Sequence, residues 1–79
     1  MSEPSTRTVE RALSLLADVC EKGSTSLADA ARAVDLSPST ALRLLRTLEA
    51  SGFVRRDYTG SYRAGSRLMQ LGARAIGHE

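Results

Sequence analysis

The sequence holds little of the chemistry on which small enzymes and metal sites depend. Among its 79 residues there is one cysteine, one histidine and no tryptophan. A single cysteine, Cys20, excludes an intramolecular disulfide and a cysteine-rich zinc site. The histidine, His78, lies one residue from the end, where it cannot form a catalytic pair of dependable geometry. We therefore expect a protein that is not an enzyme and that binds no cofactor and no metal.

Long apolar runs are also missing. No run approaches the roughly 18 residues that a membrane span requires, and the N-terminus lacks the basic-then-apolar order of a signal peptide. These absences predict a cytoplasmic protein with no membrane partner. Hydrophobic residues make up 42% of the chain and charged residues 25%, which is the balance of one ordinary globular domain.

The charge of the chain is unevenly distributed. Residues 1–38 hold four basic and six acidic residues, whereas residues 39–67 hold six basic and two acidic residues. Ten of the eleven basic residues are arginine, the side chain best suited to paired hydrogen bonds with phosphate or with the edge of guanine. The basic middle section therefore favours a polyanionic partner, although an arginine-rich composition alone produces the same count.

The spacing of apolar residues predicts a first helix that begins at Val9, with Thr8 as its N-cap, and ends at Gly23. Before this helix, residues 1–5 have the composition of a turn, and we expect them to be disordered. Cys20 falls on the apolar side of the helix. We therefore expect a buried, inert thiol there rather than a redox switch.

Two further helices are predicted to follow one another across a tight turn. Ser26 is expected to cap a helix over residues 27–34. Ser37 is expected to cap a third helix over residues 38–51, because Pro38 suits the first helical position. A helix-turn-helix is the structure that this order predicts.

A hairpin and a fourth helix are predicted for the rest of the chain. Strand-like segments over residues 53–56 and 62–64 are joined by a loop that contains Gly60. From Ser66 onward, apolar residues recur at helical spacing, which predicts a helix over residues 66–79.

Three helices followed by a two-stranded hairpin are the layout of a winged helix-turn-helix. The predicted fold class is mainly α with a small β-hairpin, built as a three-helix core, a two-stranded wing and a C-terminal helix. We expect this domain over residues 6–65, with the helix-turn-helix at about 27–46 and the wing at about 53–64. The turn between the second and third helices needs an apolar anchor, which Leu36 supplies.

The polar side of the third helix consists of hydroxyls and arginines, which suits contact with base edges or phosphates in the major groove. Arg43 can span O6 and N7 of a guanine. Leu42 lies at the edge of the apolar stripe, where contact with a thymine methyl and partial core packing both remain open. We interpret the helix as the reader of a double-stranded DNA sequence.

The wing adds arginines on either side of its loop. Arg56 and Arg63 suit the phosphate backbone or the minor groove, but a charged edge that resists strand pairing explains them as well. The predicted DNA contacts of the chain are Ser26, Ser39, Thr40, Leu42, Arg43, Arg46, Thr47, Arg56 and Arg63.

Several of these segments resemble the N-terminal domain of IclR-type bacterial transcription regulators. The resemblance extends over about residues 6–76. Its most specific parts are Ser39-Thr40-Ala41-Leu42-Arg43-Leu44-Leu45-Arg46-Thr47-Leu48-Glu49, which is similar to the family's recognition helix, and Gly52-Phe53-Val54 at the start of the wing.

The resemblance implies a dimeric repressor or activator that binds a palindromic operator with the recognition helix, residues 38–51, in the major groove. It also implies that residues 66–79 form a linker helix, truncated before an effector-binding domain that this chain lacks and that would sense a small molecule. Dimerisation about the linker helices would cover their apolar stripe, unless part of the stripe folds back on the first helix. That stripe consists of Leu68, Leu71, Ala75 and Ile76.

Three departures from the family pattern matter. Asp35 stands where the family usually has glycine, Ala41 replaces a larger aliphatic residue, and Leu42 stands where a polar aromatic or histidine is common. The first two affect stability and the third affects which bases are read. Two other interpretations stay open: a winged-helix module that binds a partner protein, and a DNA-binding domain of a MarR-like or ArsR-like regulator.

Overall fold

A computed structural model describes the chain from residue 3 to residue 78, with side chains from residue 6 onward. This part contains four helices and one two-stranded antiparallel sheet. In chain order they are α1 (Glu3–Lys22), α2 (Leu27–Ala33), α3 (Pro38–Ala50), β1 (Val54–Arg56), β2 (Tyr62–Ala64) and α4 (Ser66–Gly77). The predicted winged helix-turn-helix is confirmed.

The start of α1 differs from the prediction. The helix already includes residues 3–5, so the expectation of disorder is wrong for them, and residues 1 and 2 lie outside the described part. Pro4 falls in the first turn, where its missing N–H removes no hydrogen bond, and the helix continues through it. Thr8 therefore lies inside α1 and does not cap it. The predicted end is correct, since Gly23 has a φ of 80° and donates its N–H to Val19 O at 2.9 Å.

The two predicted serine caps are confirmed. The Ser26 hydroxyl accepts a hydrogen bond from the Asp29 N–H at 3.1 Å, and α2 begins at the next residue. The Ser37 hydroxyl accepts one from the Thr40 N–H at 3.3 Å, with Pro38 as the first residue of α3. Each cap satisfies one of the backbone donors that a helix N-terminus leaves unpaired.

The turn between α2 and α3 returns the chain sharply towards the core. Asp35 adopts a left-handed backbone with a φ of 57°, and the next N–H, that of Leu36, bonds Ala31 O at 2.9 Å. The half-buried Leu36 side chain then packs against the core, as predicted for the anchor of the turn. Together with the hydrogen bond from the Asp35 N–H to Arg32 O at 3.2 Å, the bond from the Leu36 N–H forms a Schellman-type helix end, which fixes the angle between the two helices.

The core lies where α1, α2, α3 and the hairpin meet. Alanines occupy the crossing of α2 and α3, so the two backbones approach closely. The buried apolar residues are Leu15, Val19, Ala30, Ala31, Ala41, Leu44, Leu45, Val54 and Tyr62.

The prediction that Cys20 is buried is wrong, because its side chain is exposed. Near the end of α1 the buried positions are Leu15 and Val19, four residues apart, while Leu16 is only half-buried. The stripe of α1 that meets the core is therefore narrower than the sequence pattern indicated, and Cys20 falls outside it.

The hairpin is joined to the helices at two places. Tyr62 exchanges two backbone hydrogen bonds with Thr25, at 2.8 and 3.1 Å, which ties β2 to the segment between α1 and α2. At the base of the wing, Gly65 donates its N–H to Phe53 O at 2.9 Å, and Arg67 donates its N–H to Gly52 O at 3.0 Å. The start of α4 is thereby held against the start of the wing. No helix of the described residues is long and apolar enough to cross a membrane.

Candidate nucleic-acid interface

The exposed side of α3 carries the predicted recognition residues. Ser39, Arg43, Arg46 and Thr47 are exposed, and Thr40 is half-buried. On the opposite side of the helix the buried residues are Ala41, Leu44 and Leu45. The predicted division of the helix into a core side and an outer side is therefore confirmed.

The two arginines of this surface have no intramolecular partner. Arg43 and Arg46 form no hydrogen bond or ion pair with any other described residue, so both guanidinium groups are free to bind a ligand. Thr47 differs, because its hydroxyl donates to Arg43 O at 3.2 Å within the helix. Its donor is occupied, and Thr47 retains only acceptor capacity for an external group.

Hydroxyls gather at the N-terminus of α3. The Ser37 hydroxyl lies 3.0 Å from the Thr40 hydroxyl and 3.4 Å from that of Ser39. The hydrogen bond to Ser37 therefore orients the Thr40 hydroxyl, whereas the Ser39 side chain is more exposed. Together with the helix dipole, these groups favour an anion near the first turn.

Leu42 is half-buried and is not one of the described residues that pack against the buried core. Contact with a thymine methyl therefore stays a prediction.

Ser26, the predicted contact on α2, serves as the cap of that helix. A hydrogen bond from Arg32 lowers the pKa of the neighbouring Asp29 carboxyl, and Ser26 adds to this effect.

The two predicted wing arginines are both engaged within the wing. The guanidinium of Arg56 lies 5.5 Å from the centre of the Tyr62 ring, a cation–π contact. The Nε–H of Arg63 donates to Asp57 Oδ2 at 2.9 Å. Both side chains remain exposed at the surface.

Asp57 organises the wing loop. Its Oδ1 accepts hydrogen bonds from the Thr59 N–H at 2.9 Å, from the Ser61 N–H at 3.1 Å and from the Thr59 hydroxyl. Its own N–H donates to Ser61 O at 2.8 Å. The hydrogen bonds from Thr59 and Arg63 hold the pKa of the Asp57 carboxyl well below its usual range. The loop thus has a defined shape, fixed by one carboxylate.

A comparison with known protein families decides the identity of this fold. The sequence model of the IclR helix-turn-helix domain matches residues 8–58, from within α1 to the wing loop. The chain belongs to the IclR family. The resemblance predicted from the sequence is confirmed, and the MarR-like and ArsR-like alternatives are set aside. The chain is accordingly a DNA-binding domain of a family of transcription regulators, which are not enzymes.

Solved IclR-family structures have the same fold. HmgR from Pseudomonas aeruginosa is 31% identical over 92% of this chain and 31% of its own, with a TM-score of 0.84. IclR from Thermotoga maritima is 25% identical over 94% of this chain and 30% of its own, with a TM-score of 0.80. An IclR transcriptional regulator from Alicyclobacillus acidocaldarius is 37% identical over 91% of this chain and 29% of its own, with a TM-score of 0.71. No match is found among the curated proteins.

This IclR-type domain therefore spans between 29% and 31% of the length of those three proteins.

The helix α4 contacts β1 at the base of the wing. Leu68 and Leu71 are half-buried, whereas Ala75 is exposed and Ile76 is 75% exposed. The predicted stripe thus divides into an inner half, partly covered within the chain, and an outer half that is open.

Two wing residues were absent from the predicted set. Arg55 is exposed and pairs with Arg63 in the antiparallel register. Asp57 was counted only as part of the loop. Counting back from the loop in steps of two would have placed Arg55 on the same face as Arg63, because directly opposite residues of a hairpin share a face. No sequence signal indicated that Asp57 bonds Arg63.

Proposed function

We propose that this IclR-type domain binds double-stranded DNA in a sequence-specific manner, with α3 in the major groove, and so directs a transcription regulator to its operator. One observation carries the proposal. The outer side of α3 presents Arg43 and Arg46, and neither has a partner among the described residues. Because the opposite side of the helix is packed into the core, its backbone is already ordered, and binding has to order only the two side chains.

Each side chain has a role suited to its chemistry. Arg43, in the middle of the helix, would donate two hydrogen bonds to O6 and N7 of a guanine, and Arg46 lies on the same outer side. Ser39 and Thr40, at the N-terminus, would bond a base edge or a phosphate. Leu42 would contact a thymine methyl. Thr47 would accept from a base amino group, and Ser26 would contact a phosphate through its place at the start of α2.

The wing would contribute sequence-independent affinity. Arg56 and Arg63 project from neighbouring strands and would neutralise backbone phosphates. Phosphate contacts of this kind fix the orientation of α3 in the groove and do not distinguish bases.

The proposal extends to the assembly. Two copies would bind a palindromic operator, with the linker helices α4 in contact, and a small-molecule effector would act through a further domain such as the longer relatives have room for. Repression and activation are both compatible with this arrangement.

Arg43→Ala tests the major-groove role. Sites are first selected from a random duplex library with the 79-residue chain, and affinity is then measured by fluorescence anisotropy on a selected duplex and on a random one. We expect Arg43→Ala to weaken binding to the selected duplex by about 1 to 3 kcal/mol and to relax the preference at one base pair. Arg74→Ala, which removes the same charge from the last turn of α4, is the matched control.

If Arg43→Ala loses the same affinity for the selected and the random duplex, Arg43 contacts the DNA backbone and does not read a base. Failure of the parent chain to bind any duplex would favour the alternative of a protein-interaction module. The two arginines on the outer side of α3 argue against that alternative, because such modules tend to present an apolar or acidic surface there.

A further inference from the structure

The outer face of the wing places two arginines opposite each other. Arg55 on β1 and Arg63 on β2 are direct partners in the antiparallel register, and both are exposed. Val54 and Tyr62, which alternate with them along the strands, are buried. Like charges directly opposite each other destabilise a hairpin, and a bound anion would offset the part of this repulsion that the Arg63–Asp57 ion pair leaves.

Only one of the two charges is balanced within the chain. Arg63 is paired with Asp57, whereas Arg55 forms no hydrogen bond or ion pair with any other described residue. The face therefore keeps a net positive charge.

The contact between Arg63 and Asp57 leaves most of the guanidinium available. It uses the Nε–H alone, at 2.9 Å from Oδ2, and the terminal amino groups of Arg63 bond no other described residue. Asp57 itself cannot swing away easily, because its other oxygen accepts from the backbone of Thr59 and Ser61. Arg63 is thus held through its Nε–H, while its terminal amino groups keep their donors for an oxyanion.

We propose that Arg55 and Arg63 together form a clamp for a backbone phosphate of double-stranded DNA, and that Asp57 is the positioning residue that orients Arg63. This inference rests on the proposed function and names the group that the wing binds. A phosphodiester oxygen between the two guanidinium groups would balance the charge of Arg55, which has no partner among the described residues. The fixed position of Arg63 also reduces the entropy lost on binding.

The substitution Asp57→Asn separates positioning from charge. The amide oxygen of the Asn can keep the bonds from the Thr59 and Ser61 N–H groups, so the loop retains its shape. The amide nitrogen then faces the Nε–H of Arg63, donor against donor, and that contact is lost. Removal of a negative charge near DNA should by itself strengthen binding, whereas loss of positioning should weaken it. The direction of the change is therefore diagnostic.

The experiment measures binding of the 79-residue chain to a labelled duplex of random sequence at several salt concentrations. Arg55→Ala and Arg63→Ala should each weaken binding and lower the slope of log affinity against log salt by about one unit. Asp57→Asn should weaken binding a few fold. In the Arg63→Ala background the same change should weaken it no further. Arg74→Ala, outside the wing, controls for net charge, and thermal melts show that each variant is folded.

Tighter binding by Asp57→Asn with Arg63 present overturns the positioning role. An unchanged salt slope for Arg55→Ala overturns the clamp, even when Arg63→Ala lowers the slope. If the parent chain binds no duplex, the proposed function fails and the clamp fails with it, whereas the other two outcomes leave the proposed function standing.

Discussion

Asp35 is the only residue other than glycine with a positive φ among those that the structure describes. A left-handed backbone costs a residue with a side chain roughly 1 to 2 kcal/mol, and aspartate tolerates it better than most. The family resemblance indicated glycine at this position, and the φ of 57° explains the preference. The chain thus carries a small strain at the turn that sets the angle between α2 and α3.

We expect Asp35→Gly to stabilise the domain by about 0.5 to 1 kcal/mol. Relief of the left-handed conformation outweighs the greater entropy that glycine has in the unfolded chain. Urea unfolding of the two proteins measures the difference. Asp35→Asn, which also removes the charge but tolerates the same backbone, should change the free energy of unfolding far less; a loss of stability in Asp35→Gly contradicts the argument.

Position 65 also requires glycine, although its backbone conformation is one that any residue can adopt. The reason is a lack of space for a side chain. A Cβ placed on Gly65 would lie only 2.3 Å from Gly52 O and 3.0 Å from the carbonyl carbon of Phe53. These are backbone atoms of the segment that Gly65 and Arg67 bond at the base of the wing. A side chain here would therefore force the wing and α4 apart.

Gly65→Ala should reduce the free energy of unfolding by about 1 to 3 kcal/mol, as expected for an overpacked contact that cannot relax by rotating a side chain. Gly72→Ala is a matched control, because a Cβ on Gly72 meets nothing within 4 Å and the residue lies inside α4. That control should gain up to about 1 kcal/mol from improved helix propensity. Similar thermal midpoints for the two variants would show that the base of the wing is looser than its hydrogen bonds indicate.

The helices were predictable where their ends depend on neighbouring residues alone. Ser26, Ser37 and Gly23 define helix ends through contacts within one turn, and all three were placed correctly from the sequence. The prediction of a buried Cys20 was wrong because burial depends on how far tertiary packing extends around a helix. The early start of α1 has a different origin, since residues 6–11 are exposed and no core contact holds that end. A sequence pattern shows an apolar side but does not show how much of it other elements cover.

The cap of α3 sets the register of the proposed recognition helix. Ser37→Ala should lower the free energy of unfolding by about 1 kcal/mol, because the Thr40 N–H loses its acceptor. Thermal melts measure the loss, and Ser37→Asp, which keeps an acceptor at the same position, should retain most of the stability. An unchanged midpoint for Ser37→Ala would mean that the helix begins elsewhere in solution and that Ser39 and Thr40 face in other directions.

The candidate interface was only partly predictable. The residues of α3 follow from helical periodicity, since one side must be buried for the other to be presented. The wing contacts depend on which residues face each other across the hairpin and on a carboxylate six positions away from its arginine, at Asp57 and Arg63. Pairing between strands is a non-local property, which explains why Arg55 and Asp57 were missed.

The surface of the whole domain leaves apolar side chains uncovered on α4. Ile76 is 75% exposed and Met69 is 57% exposed, and α4 has no fully buried residue. Leu68 and Leu71 are half-buried, so the prediction that a second copy covers the stripe now applies mainly to its outer half, Ala75 and Ile76. A small helix surface of this kind supports only weak association by itself.

We expect the 79-residue chain to associate weakly in solution and to form a stable dimer on a palindromic duplex, where both copies are held at a high effective concentration. Sedimentation with and without the duplex measures this. Ile76→Asp, alone and combined with Leu71→Asp, should abolish cooperative binding of the second copy, because a buried carboxylate at the contact would be unpaired. The single variant leaves the half-buried Leu71 unchanged. Gln70 is exposed on another side of α4, so Gln70→Asp controls for the added charge. If folded Ile76→Asp and the double variant still bind the palindrome as a cooperative pair, the two copies meet through a surface other than α4.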